Sequence, residues 1–371
     1  MSRTPTWIIT SAPAPDSLDH EDAWAVHGAS RVSFAVDQDN YGHDDVAYSA
    51  RYLLTKLHQK DYSRRDLLVA TPADATRPGQ DDVVGWARTI APHEGNEHLL
   101  WCELVVHPEH RRRGAGTALL EAAESLAREL DRTTLIASSD HPGEPPVDDP
   151  DALTAPTGSG RIDGRSAGAR FASRHGYGLE QAERYSMLHL PVPPDTLARL
   201  HDDAAAHAGP DYRIAAFADP APEIWVDDLA MLYTRMSTEA PLGGLDMGEE
   251  PWDAGRVRVA EAEAVEANHG SLTVVAVHEP TGTLAAFTRI EWPEDEHEVV
   301  FQEDTLVLPE HRGRRLGMLV KSALLLELRE RRPDAARVHT WNAEENEHML
   351  GINVALGYRP AGVSGLWQKK L

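Results

Sequence analysis

The sequence contains one cysteine, Cys102, among 371 residues. No disulfide bond can therefore form within the chain, and a reducing cytoplasm is the simplest compartment to expect. Long hydrophobic runs are also missing, since no run approaches the ~20 residues that cross a bilayer, and the N-terminal stretch lacks the apolar core of a signal peptide. We therefore expect a cytoplasmic protein with no membrane partner.

Positive charge is scarce as well. The chain has 36 Lys and Arg against 60 Asp and Glu, a formal net charge of −24. This balance argues against nucleic acid and against anionic membranes as partners, because both attract basic surfaces. It suits a cationic amine substrate, although a role in solubility alone also accounts for it.

Neither a metal site nor a single domain fits the sequence. No metal is expected, because the histidines that we considered lack the spacing that is typical of metal ligands; they are His107, His110, His311, His339 and His348. A length of 371 residues exceeds the usual size of one domain and indicates two or three.

A basic loop between a strand and a helix is the most informative stretch. Apolar and partly β-branched residues predict a strand over 99–106, and apolar positions at helical spacing predict a helix from Thr117 onward. Between them lies the sequence RRRGAG at 111–116. Glycines at a helix N-terminus, with its free N–H groups and positive dipole end, form a seat for phosphate. The alternative is an arginine-rich surface turn that caps an amphipathic helix.

This stretch resembles the signature of the GCN5-related N-acetyltransferase (GNAT) family, V-x-P-x-x-[QR]-x-x-G-x-[GA]. It is matched by Val106, Pro108, Arg111, Gly114 and Gly116. The resemblance implies that the loop wraps the pyrophosphate of acetyl-coenzyme A (acetyl-CoA). The implied cofactor contacts are Val105, Val106, Arg111, Arg112, Arg113, Gly114, Ala115, Gly116 and Thr117.

The same motif occurs a second time. Pro108 and Arg111 have counterparts 201 residues later, at Pro309 and Arg312, and Gly317 keeps the same distance from Gly116. Further on, the Gly-Tyr pairs at 176–177 and 357–358 are only 181 residues apart, so the first copy carries 20 extra residues. We assign them to 140–164, a surface insertion rich in Pro, Gly and Asp that is mobile or ordered only by contacts. In the second copy the implied cofactor contacts are Arg312, Gly317 and Asn346.

The repeat predicts a mixed α/β fold with two tandem GNAT (acyl-CoA N-acyltransferase) domains, each a mixed central sheet flanked by helices. We place the first domain at 1–190 with its insertion at 140–164, a linker at 191–210 and the second domain at 211–371. The linker is rich in Pro, Ala and Asp and contains a candidate helix at 196–207. The strands at 183–190 and 363–369 are each expected to close the sheet of their own copy.

The resemblance implies a catalytic carboxylate on the central strand. Glu103 holds this position in the first copy and Asp304 in the second. An acidic residue in an apolar strand is unusual unless it is paired or functional, so a structural ion pair with a nearby Arg is the alternative for each.

The family's tyrosine acid is absent from both copies. Its position falls on Ala172 in the first copy and on Asn353 in the second, and neither residue can protonate a thiolate. The general acid therefore stays open among water and three tyrosines, which are Tyr177, Tyr185 and Tyr358.

The two copies differ in which part of the site they keep. The first has Gly114 in its loop where the second has Arg315, whose Cβ crowds the approach that glycine permits. The second has a polar group at Asn342, Asn346 and Asn353, for which helix capping is the alternative. We expect the first copy to bind acetyl-CoA and the second to be either a second site or a degenerate partner. A stretch at 243–246 is either an acceptor-binding loop or a solvated acidic loop.

The function implied by the resemblance is an N-acetyltransferase that moves acetyl from acetyl-CoA to a primary amine of a small molecule by direct attack. A non-catalytic or regulatory acyl-CoA-binding protein is the alternative from another class. Acceptors of the mycothiol-synthase type and of the aminoglycoside type are further alternatives, and the chain is expected to be a monomer or a homodimer.

Overall fold

The computed structural model describes residues 6–371, which form two compact units. Unit 1 contains the chain up to Ala182 together with Gly243–Met247 and Gly362–Leu371. Unit 2 contains Glu183–Leu242 and Gly248–Ala361. Within residues 6–371, none of the helices combines the length and the apolar composition that crossing a bilayer requires.

The elements in chain order are β1 (Trp7–Ser11), α1 (Trp24–Tyr41), α2 (Ala50–His58), β2 (Ser63–Pro72), β3 (Gly85–Pro92), β4 (Leu99–Val106), α3 (Ala115–Glu129), β5 (Thr134–His141), β6 (Ala152–Thr154), β7 (Arg161–Asp163), α4 (Ala167–Arg174), β8 (Gly178–His189), α5 (Pro194–Ala208), β9 (Tyr212–Phe217), α6 (Val226–Glu239), α7 (Ala254–Glu266), β10 (His269–His278), β11 (Thr283–Pro293), β12 (Val299–Val307), α8 (Leu316–Arg331), β13 (Arg337–Ala343), α9 (Glu347–Leu356) and β14 (Arg359–Lys370).

In unit 1 the strands lie in the order β1, β2, β3, β4, β5, β14. All neighbouring pairs are antiparallel except β4 and β5, which are parallel and are connected through α3. The buried face of α3 carries Leu119, Leu120, Ala123 and Ala127, whose spacing of three to four residues forms one apolar stripe. This stripe packs into a core with Leu100 and the rest of the sheet, and it fixes where the helix begins relative to β4.

Unit 2 repeats this plan with the strands in the order β8, β13, β12, β11, β10, β9. Here the parallel pair is β12 and β13, connected through α8. The core of this unit is formed by α8, α5 and the sheet, with residues such as Leu319, Val320 and Leu324 fully or nearly fully buried. The predicted mixed α/β architecture with two copies of one fold is therefore confirmed.

The last strand of each sheet comes from an unexpected part of the chain. Residues 363–370 of β14 pair with β5 and complete the sheet of unit 1, although they were expected to close the second copy. Residues 183–189 of β8 pair with β13 in unit 2, although they were expected to close the first copy. Both sheets require an antiparallel last strand of alternating pattern, and the sequence pattern of a strand does not reveal which partner it meets.

The predicted insertion at 140–164 is ordered by structure of its own. Strands β6 and β7 form a small antiparallel ladder, and Ile162 and Ala155 are buried. Arg161 bonds Glu144 at 2.9 Å, which holds the start of the segment against its end.

The predicted linker at 191–210 is not a linker. Most of it forms α5, in agreement with the helix predicted at 196–207, and Leu197 and Ala204 of this helix lie in the core of unit 2. The stretch at 243–246 is exposed apart from Leu245, and an acceptor-binding role for it stays a prediction. It packs on unit 1, where Leu245 is buried and Asp246 accepts hydrogen bonds from Thr134 and Lys370.

Candidate active site

The two basic loops have the same backbone conformation. Arg112 and Gly114 are left-handed in unit 1, with φ of 63° and 93°, and their counterparts Gly313 and Arg315 are left-handed in unit 2, with φ of 78° and 56°. A side chain at position 315 therefore strains the loop of unit 2 without changing its path, because a left-handed φ costs a residue other than glycine free energy. The crowding expected from Arg315 has not altered the fold of this loop.

Each loop ends at the N-terminus of a long helix. The first N–H groups of a helix have no acceptor within it, and they carry the positive end of the helix dipole. In unit 1 these groups belong to Ala115, Gly116 and Thr117, and in unit 2 they begin at Leu316 and Gly317. Both sites are suited to an anion such as the pyrophosphate of acetyl-CoA.

The signature arginine before each loop hydrogen-bonds to the preceding strand and to a carboxylate. The Nε of Arg111 donates to the carbonyl of Val106 at 3.2 Å, and its Nη1 donates to Asp39 at 2.6 Å. Arg312 makes the equivalent bonds, to the carbonyl of Val307 at 3.3 Å and to Glu239 at 2.7 Å. Both guanidinium groups are thus engaged by protein carboxylates, and their role as acetyl-CoA contacts stays a prediction.

The remaining arginines of the first loop point to solvent. Arg112 and Arg113 are exposed, and within residues 6–371 neither forms an ion pair. The carbonyl of Arg113 accepts a hydrogen bond from the indole of Trp7 at 2.8 Å. In unit 2 the ring of His207 lies 3.0 Å from the carbonyl of Gly313, so a side chain from outside the loop contacts each loop backbone.

The parallel strands beside each loop separate before they end. In unit 1 β4 and β5 pair only as far as Cys102 and Ala137, and in unit 2 β12 and β13 pair only as far as Phe301 and His339. Beyond these points one edge of each central strand has no partner strand, and this open part includes Val105 and Val106. Unpaired backbone groups beside a phosphate seat fit an extended, amide-containing arm such as that of acetyl-CoA.

The central strand of unit 2 contains a β-bulge that unit 1 lacks. In unit 1 Arg88 of β3 lies directly opposite Glu103 of β4, and the register is regular. In unit 2 Thr288 pairs with Thr305 but Ile290 pairs with Gln302, so both residues 303 and 304 lie opposite Arg289. The extra residue of a bulge is left out of the ladder, which frees its backbone groups and re-aims the neighbouring side chains.

The two candidate bases consequently have different surroundings. Glu103 accepts a hydrogen bond from Arg88 at 2.7 Å, and Arg88 also donates to the hydroxyl of Tyr48 at 3.2 Å. Asp304 forms no hydrogen bond or ion pair within residues 6–371. Arg289 is the counterpart of Arg88 in unit 2. Its guanidinium instead donates to the two carboxylate oxygens of Asp219, at 2.8 and 2.6 Å. Glu103 thus matches the ion-pair alternative, whereas Asp304 does not.

Asp304 lies in a pocket of unit 2 with a free volume of about 150 Å³. Desolvation in this pocket raises the pKa of Asp304 to about 6, while the nearby guanidinium of Arg289 opposes the rise and Glu291 and Glu250 add to it. A carboxylate of this pKa is ionised at neutral pH and remains basic enough to accept a proton. The pocket is lined by Phe217, Asp219, Ala221, Leu229, Tyr233, Trp252, Val257, Ala260, Glu261, Thr273, Arg289, Glu291, Glu303 and Asp304.

The asparagines of the second copy have structural roles. The side chain of Asn346 accepts a hydrogen bond from the N–H of Met349 and caps α9, as the alternative interpretation predicted. Asn353 is 2 % exposed and donates to Asn342 at 2.7 Å, while its own side-chain oxygen has no partner. The cap satisfies a helix N–H, and the cofactor contact expected of Asn346 stays a prediction.

The tyrosines considered as general acids lie elsewhere. The hydroxyl of Tyr177 donates to Glu124 at 3.2 Å, and that of Tyr185 lies 2.7 Å from Nδ1 of His339. Tyr358 is buried in the core of unit 2, and its hydroxyl has no partner within residues 6–371. None of the three lines the pocket that contains Asp304.

Sequence reasoning missed Tyr233 and Arg289. The hydroxyl of Tyr233 forms no hydrogen bond within residues 6–371, and its ring lines the same pocket as Asp304. Arg289 could have been found, because it lies 201 residues after Arg88, the same distance that separates the two loops. Tyr233 had no such indication, because the helices before each central strand match only in type.

Comparisons with known proteins agree with this geometry. The model of the family described as "Acetyltransferase (GNAT) family" matches residues 27–143. A protein of Sanguibacter keddieii named mycothiol acetyltransferase is 26 % identical over 357 residues, which cover 93 % of this chain and 92 % of that protein. Another of that name, from Saccharopolyspora erythraea, is 33 % identical over 156 residues, but the match spans only 39 % of this chain and 44 % of that protein.

Two solved structures show the same fold over nearly the whole chain. A tandem GNAT protein from the clavulanic acid biosynthesis pathway superposes with a TM-score of 0.72 at 23 % identity and covers 98 % of each chain. A GCN5-related N-acetyltransferase from Sphaerobacter thermophilus superposes with a TM-score of 0.59 at 15 % identity and covers 100 % of this chain and 97 % of its own. The motif in both copies, the family match and the shared fold lead to one conclusion: residues 27–143 form a domain of the acetyltransferase (GNAT) family, and the chain carries two copies of this fold in tandem.

Proposed function

We propose that this chain transfers acetyl from acetyl-CoA to a primary amine of a small molecule by direct attack, and that unit 2 performs the transfer. The observation that carries the proposal is the unpaired carboxylate of Asp304, which lies on a β-bulge and lines a pocket. Glu103, at the same place in unit 1, is neutralised by Arg88. The name of the relatives, mycothiol acetyltransferase, supports acetyl as the transferred group.

Asp304 acts as the base in this proposal. An aliphatic amine is protonated at neutral pH, and the proton occupies the lone pair of its nitrogen. The amine must lose this proton before it can attack. The carboxylate of Asp304 accepts that proton, directly or through water. Bound acetyl-CoA supplies the thioester carbon that the freed amine attacks. The C–S bond then breaks, the new amide loses the second nitrogen proton, and CoA leaves as a thiolate that takes up a proton from water.

The bulge at Glu303 and Asp304 supplies the second group that the reaction needs, a hydrogen-bond donor for the carbonyl oxygen. Negative charge develops on the carbonyl oxygen during attack, and a fixed N–H donor lowers the barrier most when it is already oriented. A backbone N–H released from the ladder at residues 303–304 is such a donor. Unit 1 has a regular ladder between β3 and β4 at this point and therefore has no donor released by a bulge.

The cofactor contacts are proposed to be the loop backbone and the open strand edge. In unit 2 these are the N–H groups at the start of α8, including that of Gly317, and the free edge of β12. In unit 1 they are the N–H groups of Ala115, Gly116 and Thr117 and the exposed Arg112 and Arg113. We keep the prediction that the first copy binds acetyl-CoA, since its loop has an unstrained glycine at 114. We further propose a small-molecule acceptor and a monomer or homodimer in the cytoplasm.

The test compares two matched variants of full-length protein. We expect Asp304→Asn to lower kcat for acetyl transfer to a primary amine by about 10²-fold or more, because a general base contributes that much. The release of CoA from acetyl-CoA is followed with a thiol reagent. The affinity for acetyl-CoA is measured by calorimetry, and we expect it to be unchanged in Asp304→Asn. Glu103→Gln is the control and should retain activity. Loss of activity in Glu103→Gln with full activity in Asp304→Asn would move the reaction to unit 1.

The absence of the family's tyrosine, replaced by Ala172 and Asn353, favours a second candidate function. In this candidate the chain binds acyl-CoA without transferring it. It predicts saturable binding of acetyl-CoA in calorimetry with no CoA release above the buffer rate for any amine offered.

A further inference from the structure

A buried polar cluster of Thr288, Gln302 and Thr305 lies beside the bulge in β12. Thr288 and Thr305 face each other across β11 and β12, and their hydroxyl oxygens are 2.8 Å apart. The side-chain amide of Gln302 donates to the hydroxyl of Thr288 at 3.1 Å and to the carbonyl of Arg289 at 2.7 Å. Thr288 is fully buried, and Gln302 and Thr305 are 6 % and 8 % exposed. Polar groups buried this deeply depend on one another for their hydrogen bonds, because water does not reach them.

The bulge brings these three side chains together. Along a regular strand, successive side chains alternate between the two faces of the sheet, so residues 302 and 305 would point to opposite faces. The extra residue in the segment 303–304 shifts this alternation by one position. Gln302 and Thr305 therefore both reach the hydroxyl of Thr288. The polar cluster can form only while β12 keeps its bulge.

Unit 1 has a different set of residues at the equivalent positions. Their side chains carry neither a hydroxyl nor an amide, and they are Ala87, Cys102 and Leu104. Ala87 and Leu104 lie 201 residues before Thr288 and Thr305, and they also face each other. The ladder between β3 and β4 is regular at this point. The polar side chains are thus found in the unit whose central strand is bulged, and apolar side chains or a thiol in the unit whose central strand is regular.

The polar cluster penalises the register in which the carboxylate of the central strand is neutralised. In unit 1 the regular register places Glu103 opposite Arg88, and the two form an ion pair at 2.7 Å. In unit 2 the bulge keeps Asp304 out of such a pairing and directs it into the pocket. A slip of β12 to the regular register would leave the buried hydroxyls and the amide of the polar cluster without their partners, which costs free energy.

We infer that Thr288, Gln302 and Thr305 act together as positioning residues, which hold β12 in its bulged register and thereby keep Asp304 in the pocket. This inference rests on the proposed function, because it names the residues that position the proposed base. None of the three lines the pocket, so they act on the reaction only through Asp304 and the backbone of the bulge.

The test compares Thr288→Val with Thr288→Ser in the full-length protein. Valine keeps the shape of threonine and removes the hydroxyl that both neighbours use, whereas serine retains the hydroxyl. We expect Thr288→Val to lower kcat for acetyl transfer to a primary amine by about 10-fold or more, because a small displacement of a reacting group has an effect of this size. The affinity for acetyl-CoA, measured by calorimetry, should be unchanged, and Thr288→Ser should recover most of the lost kcat. No recovery in Thr288→Ser would overturn the inference.

Ser322→Ala is the matched control. The hydroxyl of Ser322 is also fully buried in unit 2, but it donates to the carbonyl of Met318 at 2.7 Å within α8. Its removal should lower the stability of unit 2 and leave kcat unchanged. Equal losses of kcat in Ser322→Ala and Thr288→Val would show a general effect of losing a buried hydroxyl, and they would overturn the inference.

The pH profile distinguishes a positioning role from a loss of folded protein. A shift of β12 toward the regular register brings Asp304 toward the guanidinium of Arg289 and lowers the pKa of its carboxyl from about 6. Glu291 and Glu250, which raise this pKa, are the same in both proteins. We therefore expect the acid limb of kcat/KM to move to lower pH in Thr288→Val. A limb at the wild-type pH with only a reduced amplitude would overturn the inference.

Hydrogen exchange of the free protein separates this inference from the proposed function, because it needs no turnover. We expect the amides of residues 302–305 to exchange faster in Thr288→Val than in wild type or in Ser322→Ala. Faster exchange there, with no CoA release by wild type with any amine, would support the role of the polar cluster in holding the bulge and contradict the transfer reaction. Unchanged exchange and unchanged kcat in Thr288→Val, with transfer abolished in Asp304→Asn, would overturn the inference and support the proposed function.

Discussion

At the scale of single residues, Glu103 and Asp304 show how little separates a paired carboxylate from an unpaired one. Both lie on a central strand opposite an arginine of the neighbouring strand. Glu103 lies directly opposite Arg88 and forms an ion pair with it, so the charge of Glu103 has a fixed partner. One extra residue in β12 removes that pairing for Asp304 and leaves it half-buried in a pocket.

The pKa of Asp304 sets a pH dependence that can be measured. Desolvation raises this pKa to about 6, and only the ionised carboxylate accepts a proton. We therefore expect kcat/KM to fall as pH is lowered through about 6, in addition to the dependence that the acceptor amine causes near its own pKa of ~10. A pH profile of wild type and Asp304→Asn checks this. The limb near 6 should be absent from the variant, and its persistence there would assign it to another group.

Lys321 offers a prediction about stability. It is 2 % exposed within the core of unit 2, its Nζ lies 5.5 Å from the ring centre of Tyr358, and no carboxylate within residues 6–371 pairs with it. Burial lowers the pKa of Lys321 to about 7, well below the ~10.4 of an unfolded chain. The folded state then binds fewer protons than the unfolded state between about pH 7 and pH 10, so this group makes folding less favourable as pH falls through that window.

We expect Lys321→Met to raise the free energy of unfolding at pH 7 by on the order of 3 kcal/mol, because it keeps the apolar stem and removes the cost of neutralising the amine. The gain should shrink toward zero above about pH 11, where the unfolded lysine, with its pKa of ~10.4, is also largely neutral. Urea unfolding at the two pH values measures it. An equal gain at both would show that packing, and not the charge, is responsible.

At the scale of elements, the two loops give a reciprocal experiment. Gly114 and Arg315 occupy the same left-handed position, which glycine adopts at no steric cost. We expect Gly114→Arg to destabilise unit 1 and Arg315→Gly to stabilise unit 2, each by about 1 kcal/mol. Hydrogen exchange of the amides in α3 and α8 reports the two units separately. Gly143→Arg, at a position with open space and no positive φ, is the control and should have little effect on either helix.

Equal changes in the hydrogen exchange of α3 in Gly114→Arg and Gly143→Arg would contradict this explanation. The added charge, and not the backbone conformation, would then be the cause of the destabilisation. The same variants bear on acetyl-CoA binding. Since the loop path is the same in both units, the N–H groups that face a phosphate remain available whichever residue occupies this position.

At the scale of the whole molecule, the exchange of the last strands decides how the chain can be divided. Gly362–Leu371 belongs to unit 1, where Trp367 is 2 % exposed and its indole donates to Ser139 at 2.8 Å. Lys369 adds an ion pair with Glu124 at 2.6 Å. Removing these contacts and a whole strand costs unit 1 more than a single large-to-small core substitution, which is ~3–5 kcal/mol for tryptophan.

We expect a chain that ends at residue 361 to lose the fold of unit 1 while unit 2 retains most of its own. Hydrogen exchange should show unprotected amides in β5, with protected amides in β12. A synthetic peptide of residues 359–371 should restore protection of β5 when added in excess. Full protection of β5 in the shortened chain without the peptide would show that β14 is not needed.

Much of the fold could be read from the sequence because its patterns are local. The strand at 99–106, the helix at 196–207 and the repeated motif were all predicted from periodicity and spacing. The insertion and the linker were misjudged because Pro and Gly indicate turns but do not exclude a short ladder such as β6 and β7, or a helix that begins after Pro193. The site was found only in part. Asp304 was named, but Tyr233 and the engaged state of Arg289 were not.

The sequence by itself determined the resemblance to the GNAT family, the two copies and the positions of both basic loops, because these depend on residues that are close together along the chain. Only the tertiary structure decided which strand completes which sheet, because a strand's partner depends on contacts between distant segments. It also decided the difference between Glu103 and Asp304. The same distance of 201 residues relates these two carboxylates and the arginines opposite them, but whether a charge is paired depends on the register of two strands, and one bulge changes that register.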